Sequence, residues 1–274
     1  MTRSRIGVPV MLALAGMSSG VLAGADRPAG EADARVRATA TFQTDAGAEI
    51  WLLEWRGPTT PVCAPDDPAA YTCPCSGFAF GEAGHLELVR ERDGRTIERL
   101  PLDPLFTDGF PAGDGQAALR RHDVRDGDSE RSDSDAAPQL VAEVSARPES
   151  RVLDPGDYDH DGHASEFVLQ VATEPCGKHM GVLIGVSRAR PTLHAFGSAA
   201  HPDRSLLLQT GFWEALRSAR GPIREVAWRC GDHASETQIE QEIETDAAGI
   251  RVVEREFACT DDGGRGALLH EEIH

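Results

Sequence analysis

Alternation of apolar and polar positions is clearest near the end of the chain. Starting at Gln238, every second residue up to Glu244 is a glutamine or a glutamate, and a second run, Ile250 to Phe257, follows a short turn. Successive side chains of a strand point to opposite faces, so this pattern predicts a β-hairpin with one face toward water.

Other runs rich in β-branched and aromatic residues predict further strands, whereas helical spacing is scarce. The strand candidates are residues 36–43, 49–56, 85–92, 95–100, 139–146, 166–173, 181–187, 205–209 and 223–229. One helix is predicted from Gly211 to Ala219, where Phe212 and Leu216 are spaced by one helical turn and Thr210 can cap the first turn.

These elements predict a mainly β protein with one short helix, stapled by disulfides. Its sheets are expected to be antiparallel and sandwich-like, or partial propeller-like. The propeller alternative rests on a short repeat, because residues 163–166 and 233–236 both read His-Ala-Ser-Glu and both precede predicted strands.

Composition divides the chain into regions. Residues 1–23 carry two arginines and then a short, interrupted apolar stretch with a small-residue cleavage site, which predicts a secretory signal peptide rather than a membrane span. A flexible segment is expected at 24–35, and β-rich regions at 36–111 and 139–274. Residues 112–138 are rich in aspartate and serine and poor in apolar residues, which predicts an acidic mobile insertion. The sequence leaves open whether the two β-rich regions form one domain or two.

The charge balance limits the classes of partner. Lysine and arginine number 27 against 45 aspartates and glutamates, so the formal net charge is −18. Such a surface repels nucleic acid and anionic lipid and attracts divalent cations. No second apolar run approaches membrane length, so membrane insertion is not expected. A protein or glycan partner cannot be named from the sequence.

Six cysteines, at positions 63, 73, 75, 176, 230 and 259, fit an exported protein with up to three disulfides. Cys230 and Cys259 flank the predicted hairpin and are expected to pair. Cys176 is expected to bond one of Cys63, Cys73 and Cys75, leaving the other two to pair locally. The single lysine and the absence of asparagine are typical of a GC-rich bacterial genome, so the predicted location is the periplasm or the extracellular medium.

The segment 157–166, which reads Asp-Tyr-Asp-His-Asp-Gly-His-Ala-Ser-Glu, carries the strongest candidate chemistry. Calcium takes six to eight oxygen ligands, and calcium loops supply them from alternate positions around a glycine turn. The ligands predicted from this spacing are Asp157, Asp159, Asp161, the main-chain carbonyl of His163, and Ser165, with Glu166 as the nearest following acid. The alternative interpretation is an acidic surface turn, since Asp-Gly pairs recur in this chain.

The segment resembles the calcium-binding loops of EF-hand, dockerin-like and FG-GAP repeat proteins over about ten residues. It departs from the EF-hand at loop position 12, where Val168 replaces the bidentate glutamate. A strand-like run follows it instead of a helix. The resemblance therefore implies a calcium loop that leads into a sheet, and it implies nothing about the rest of the chain.

The last five residues, His270-Glu271-Glu272-Ile273-His274, match the His-Glu-x-x-His pattern of zinc metallopeptidases. That chemistry requires the motif on a stable helix, together with a third ligand. No nucleophile elbow or phosphate-binding loop is present. The sequence thus favours an exported calcium-binding protein with a structural or binding role, and the alternative is a secreted metal-dependent hydrolase that uses calcium or the C-terminal zinc motif.

Overall fold

The computed structural model confirms the mainly β class and resolves it into three antiparallel sheets. The described residues are 34–73, 75–106, 111–113, 115–174, 177–246 and 249–274. The predicted signal peptide and nearly all of the segment 24–35 lie outside these residues. Within the described part, no helix is long and apolar enough to cross a bilayer.

The first sheet has the order β1-β2-β3-β4, with β5 paired to β3. Its strands are β1 (Ala34–Thr44), β2 (Gly47–Val62), β3 (Gly81–Arg92), β4 (Arg95–Pro101) and β5 (Ala117–Arg120). β1 and β2 form a tight hairpin that closes between Thr44 and Gly47. Gly47 has φ +103°, which few other residues adopt.

The second sheet has the order β6-β7-β8, with β9 paired to β7, and the third has the order β10-β11-β12-β13. The second contains β6 (Glu166–Glu174), β7 (Lys178–Gly185), β8 (His194–Ala195) and β9 (Leu207–Gln209). The third contains β10 (Ile223–Trp228), β11 (Thr237–Asp246), β12 (Gly249–Cys259) and β13 (Arg265–Ile273). The predicted C-terminal hairpin is confirmed as β11 and β12.

The described α-helices are short: α1 (Asp128–Ser132), α2 (Ala137–Ser145) and α3 (Thr210–Ser218). Single 3-10 turns occur at Pro68–Tyr71, Cys75–Phe78, Asp103–Leu105 and Asp232–Ala234. The helix predicted at 211–219 is confirmed as α3. Thr210 is its first residue rather than its cap, because Gln209 precedes the helix.

The strand predicted at 139–146 is wrong, because this segment forms α2. Leu140 and Val144, one helical turn apart, are both buried, and the neighbouring Gln139 donates to Glu143 on the exposed side of the helix at 2.9 Å. A short apolar run fits both the two-residue repeat of a strand and the 3.6-residue repeat of a helix. Here, packing against the rest of the fold selects the helix.

The acidic insertion predicted at 112–138 contains regular structure in its described part. Ala117, Ala118 and Leu119 of β5 are buried against β3. Asp128 at the start of α1 is also buried, and its carboxylate accepts hydrogen bonds from both terminal nitrogens of Arg147 at 2.7 and 2.8 Å. These anchors are two alanines, one leucine and an aspartate, too few apolar residues for composition alone to reveal them.

Two apolar clusters hold the sheets together. In the first, Trp51 and Phe42 stack with ring centroids 3.9 Å apart, and Phe167 of the second sheet meets Phe42 edge-on at 6.0 Å. In the second, Trp213 of α3 packs with Ile243 of the third sheet. Burial of each such side chain contributes about 1.5–3 kcal/mol. The residues from Asp33 to His274 accordingly form one compact unit.

The predicted disulfide between Cys230 and Cys259 is present, and Cys63 pairs locally with Cys75. Cys176, the predicted partner of the remaining cysteine, lies outside the described residues. The Cys73 sulfur lies 3.6 Å from the Glu174 carbonyl oxygen and 3.0 Å from the Gly177 nitrogen, which are close to Cys176 in the sequence. The remaining predicted bond is therefore Cys73–Cys176.

This bond is tested by peptide mapping of the oxidised protein. Non-reduced digests are expected to contain a Cys73–Cys176 cross-linked peptide, and the denatured, unreduced protein is expected to have no reactive thiol. Two alkylated cysteines per chain, at 73 and 176, would contradict the prediction.

Candidate metal centre

The acidic loop is closed at its base by a two-residue bridge between Gly156 and Glu166. The Gly156 nitrogen donates to the Glu166 carbonyl at 2.8 Å, and the Glu166 nitrogen donates back at 3.2 Å. Only glycine fits at the first position, because a Cβ there would lie 2.5 Å from a ring carbon of Tyr158. Glu166 is also the first residue of β6, so the strand fixes the end of the loop.

Inside the loop, three carboxylates converge. One oxygen from each of Asp157, Asp159 and Glu166 lies within 4.8 Å of the other two. Oδ2 of Asp157 accepts from the Gly162 nitrogen at 3.2 Å, whereas Oδ1 is buried and has no hydrogen-bond partner among the described residues. A buried carboxylate oxygen without a donor is costly unless a cation or another donor satisfies it.

The chain turns sharply between these carboxylates. Gly162 has φ +97° and His160 has φ +57°. Oδ1 of Asp159 accepts from the Asp161 nitrogen at 3.1 Å, and Oδ1 of Asp161 accepts from the His163 nitrogen at 2.9 Å. These side-chain bonds to the backbone hold the loop in a turn, as aspartates commonly do.

Asp161 is not one of the three convergent carboxylates, and the ligand predicted at His163 is its main-chain carbonyl rather than its imidazole. The Asp161 carboxylate is engaged with the backbone, and the His163 imidazole pairs with Asp45 at 2.8 Å. The buried Ser165 hydroxyl donates to Glu166 and lies 3.0 Å from the Val186 carbonyl oxygen. Of the predicted side chains, the structure thus brings together Asp157, Asp159 and Glu166, and places Ser165 in contact with one of them.

Burial makes this cluster electrostatically unfavourable without a counter-charge. It raises the pKa of Glu166 to about 8, with nearby Asp159 adding to the increase, although hydrogen bonds from Ser165 and Tyr158 oppose it. Burial, followed by repulsion from Asp161, also raises the pKa of Asp159 to about 6. Both shifts show that the neighbourhood disfavours another negative charge, and a bound cation would relieve this repulsion.

The outside of the loop is fixed to α3. The His160 Nε2 lies 3.0 Å from the Leu216 carbonyl, and its Nδ1 lies 2.9 Å from Nη1 of Arg220. A carbonyl can only accept and a guanidinium can only donate, so in this arrangement Nε2 of His160 is the donor and Nδ1 is the acceptor. Arg217 of the same helix bonds to Asp154 at 2.7 Å and to the Pro155 carbonyl at 2.8 Å.

The loop is also fixed to the first sheet. The Gln43 nitrogen of β1 donates to the Ala164 carbonyl at 3.1 Å, and Asp45 in the β1–β2 turn holds His163. Arg188 donates to the Asp161 carbonyl at 3.1 Å. The loop therefore joins the first sheet, the second sheet and α3. Local sequence could not have identified Asp45 or Arg188, because both contacts are distant along the chain.

The C-terminal His-Glu-x-x-His segment does not have the predicted helical form. His270 lies in β13, which ends at Ile273. On a strand, four residues span about 13 Å of backbone, so His270 and His274 are not stacked one helical turn apart as they are when a helix presents both imidazoles to one zinc ion. His270 and His274 instead lie 3.8 Å from Glu272. The helix that zinc hydrolysis would require is absent from this described segment.

Beside the loop lies a cavity of about 700 Å³. Its walls come from the acidic loop, the turn at 187–190, residues between His194 and Asp203, and the start of β12. Two arginines, Arg188 and Arg190, contribute to this lining. Sequence reasoning missed them because nothing in the local pattern separates them from surface arginines.

Comparison of the chain with protein-family models, with curated proteins and with solved structures finds no match. The acidic loop and its surroundings are therefore the basis on which a function can be assigned.

Proposed function

We propose that this is an exported, calcium-binding β-rich protein in which the ion fixes the 157–166 loop between two sheets and α3. The observation that carries the proposal is the convergence of the Asp157, Asp159 and Glu166 carboxylates, one of which, Asp157, has a buried oxygen without a hydrogen-bond partner among the described residues. The role is structural in the first place, because every outer contact of the loop reaches another element of the fold.

The donor chemistry favours calcium over other ions. All three convergent groups offer oxygen, and none offers a thiolate or an imidazole, which zinc and copper prefer. Magnesium requires near-ideal octahedral geometry, whereas calcium accepts six to eight oxygens in irregular arrangements. Further ligands would come from water and from main-chain carbonyls, of which His163 is the one the sequence predicts.

Export is supported by the two disulfides, which persist in oxidising compartments. Extracellular calcium sites bind with Kd on the order of 0.1–1 mM. A site of that affinity suits a stabilising ion in a calcium-rich medium, since it would be largely empty at cytosolic calcium concentrations.

Thermal unfolding of the mature, oxidised protein tests this function. With about 10 mM calcium and the affinity above, stabilisation of about 1–3 kcal/mol relative to EDTA is expected, or a Tm increase of several degrees. Asp159→Ala should lose this increase. The matched control is Asp66→Ala, which removes an exposed carboxylate elsewhere and should keep it.

Equal melting temperatures in EDTA and calcium would contradict the proposal and favour the alternative interpretation, that the loop is an acidic surface turn. An increase with zinc but not with calcium would also contradict the proposal, and its loss on deleting residues 270–274 would favour the hydrolase alternative.

A further inference from the structure

The cavity beside the acidic loop has the dimensions of a small-molecule site. Ligand pockets typically enclose about 300–1,000 Å³ and combine an apolar lining with a few polar groups. This one encloses about 700 Å³ and includes Phe196, Ala189, Ala199 and Ile250 in its lining. Such a lining would accommodate an apolar body of modest size.

Two guanidinium groups in the lining are incompletely neutralised. The nearest carboxylate oxygen to Arg188 belongs to Asp45, 3.7 Å away, and the one nearest to Arg190 belongs to Asp203, 4.0 Å away. The Asp203 side chain is 95% exposed, so water screens it strongly. The net charge of −18 repels anions in general, so these two arginines are the groups in the lining that are suited to binding an anionic group.

The His194 imidazole in the cavity wall contributes an uncharged ring rather than a positive charge. His194 is buried and stacks on Phe196 with centroids 4.4 Å apart. Burial lowers its pKa, and its Nδ1 lies 2.8 Å from the Thr192 carbonyl, to which it donates. The two stacked rings therefore extend the apolar surface.

Calcium in the adjoining loop would change the balance of charge. Among the charged groups of the lining, the carboxylates of Asp159, Asp161 and Asp203 face the guanidinium groups of Arg188 and Arg190, which leaves one net negative charge. The Asp157 carboxylate lies next to Asp159 and adds to the repulsion of an anion. A divalent cation held by Asp157, Asp159 and Glu166 would offset this repulsion and leave the arginines free to act.

We propose that this cavity binds a small organic anion with an apolar body, and that calcium in the neighbouring loop strengthens this binding. The proposal rests on the calcium site argued above. The ion would then have a second role, as the element that couples loop order to ligand affinity.

The test uses two fluorescent probes with the same apolar body: anilinonaphthalene sulfonate, which is an anion, and the neutral phenylnaphthylamine. In calcium, the sulfonate is expected to bind saturably, and in EDTA about tenfold more weakly. Arg190→Gln, which does not touch the loop, should weaken sulfonate binding by about tenfold and leave the neutral probe unchanged. Arg204→Gln, an exposed arginine outside the cavity lining, is the matched control and should change neither.

A second variant tests the location of the site. Ala199→Trp would place an indole in the cavity from an exposed position and should abolish binding of both probes without unfolding the protein. Equal sulfonate affinity in Arg190→Gln and the parent protein, or in calcium and EDTA, would overturn the inference.

Calorimetric titration of calcium on the same samples separates the two proposals. If calcium binds but the sulfonate does not, this inference fails and the calcium site stands. If calcium does not bind, the proposed function fails, and the calcium dependence of the cavity fails with it.

Discussion

Arg90→Ala is expected to lower the free energy of unfolding by about 3–5 kcal/mol. Arg90 and Glu49 are both buried, with exposed fractions of 6% and 1%, and Nη2 of Arg90 donates to Oε1 of Glu49 at 3.1 Å. Removing the arginine would take away one of the two guanidinium groups that pair with this carboxylate and would leave Oε2 of Glu49 with the Trp51 indole as its remaining described donor, which is a costly way to break a buried ion pair.

The expected loss is large because Arg90 also joins the first sheet to the loop that precedes β8. Its Nη1 donates to the Pro191 carbonyl at 2.8 Å and to Glu98 at 3.0 Å, and Glu98 accepts from the Leu193 nitrogen at 2.9 Å. Burial opposes ionisation of Glu49, but hydrogen bonds from Arg90, Arg92 and Trp51 outweigh it and lower its pKa to about 2. The carboxylate therefore stays charged in the folded protein and needs these donors.

Urea unfolding measures this effect, with Arg95→Ala as the matched control. Arg95 is exposed at the start of β4, and its substitution is expected to change stability by less than about 0.5 kcal/mol. A loss below 1 kcal/mol for Arg90→Ala would show that Arg92 and water replace its contacts.

Asp159→Asn is expected to have opposite effects with and without calcium. In EDTA it should stabilise the protein by about 1 kcal/mol, because it removes a partly buried charge whose ionisation the folded state disfavours. The amide oxygen can still accept the bond from the Asp161 nitrogen, so the turn is kept. In calcium the variant should fall below the parent protein, because a necessary anionic ligand is lost.

Denaturant unfolding in EDTA and in calcium measures whether the stability difference between the variant and the parent protein changes sign. Asp66→Asn, at an exposed site, serves as the control. Destabilisation in EDTA would mean that the Asp159 charge already has a favourable partner in the ion-free protein. An unchanged response to calcium would mean that Asp159 is not a ligand.

The regular strands were predictable because a two-residue repeat of apolar and polar side chains dominates their sequences. The alternation from Gln238 to Glu244 and the apolar run after Glu166 read directly as strands. The segment around Leu140 and Val144 was predicted as a strand, because a short apolar run fits the repeat of a strand as well as that of a helix. Its burial in the first apolar cluster decides for the helix. Likewise, β5 is held by two alanines and a leucine, too small an apolar signal to stand out in an acidic stretch.

The candidate site was only partly predictable. The spacing of acids located the loop, but which carboxylates meet depends on the turn at Gly162 and on the strand that fixes Glu166. Asp161 fits the spacing yet lies outside the convergent group. The cavity with Arg188 and Arg190 is formed by elements far apart in the sequence, so no local motif predicts it.

Calorimetric titration of calcium into the EDTA-treated, mature protein tests the central claim most directly. The account predicts one site per chain with Kd on the order of 0.1–1 mM, lost in Asp159→Asn and kept in Asp66→Asn. The absence of binding heat, or an isotherm that Asp159→Asn leaves unchanged, would contradict it.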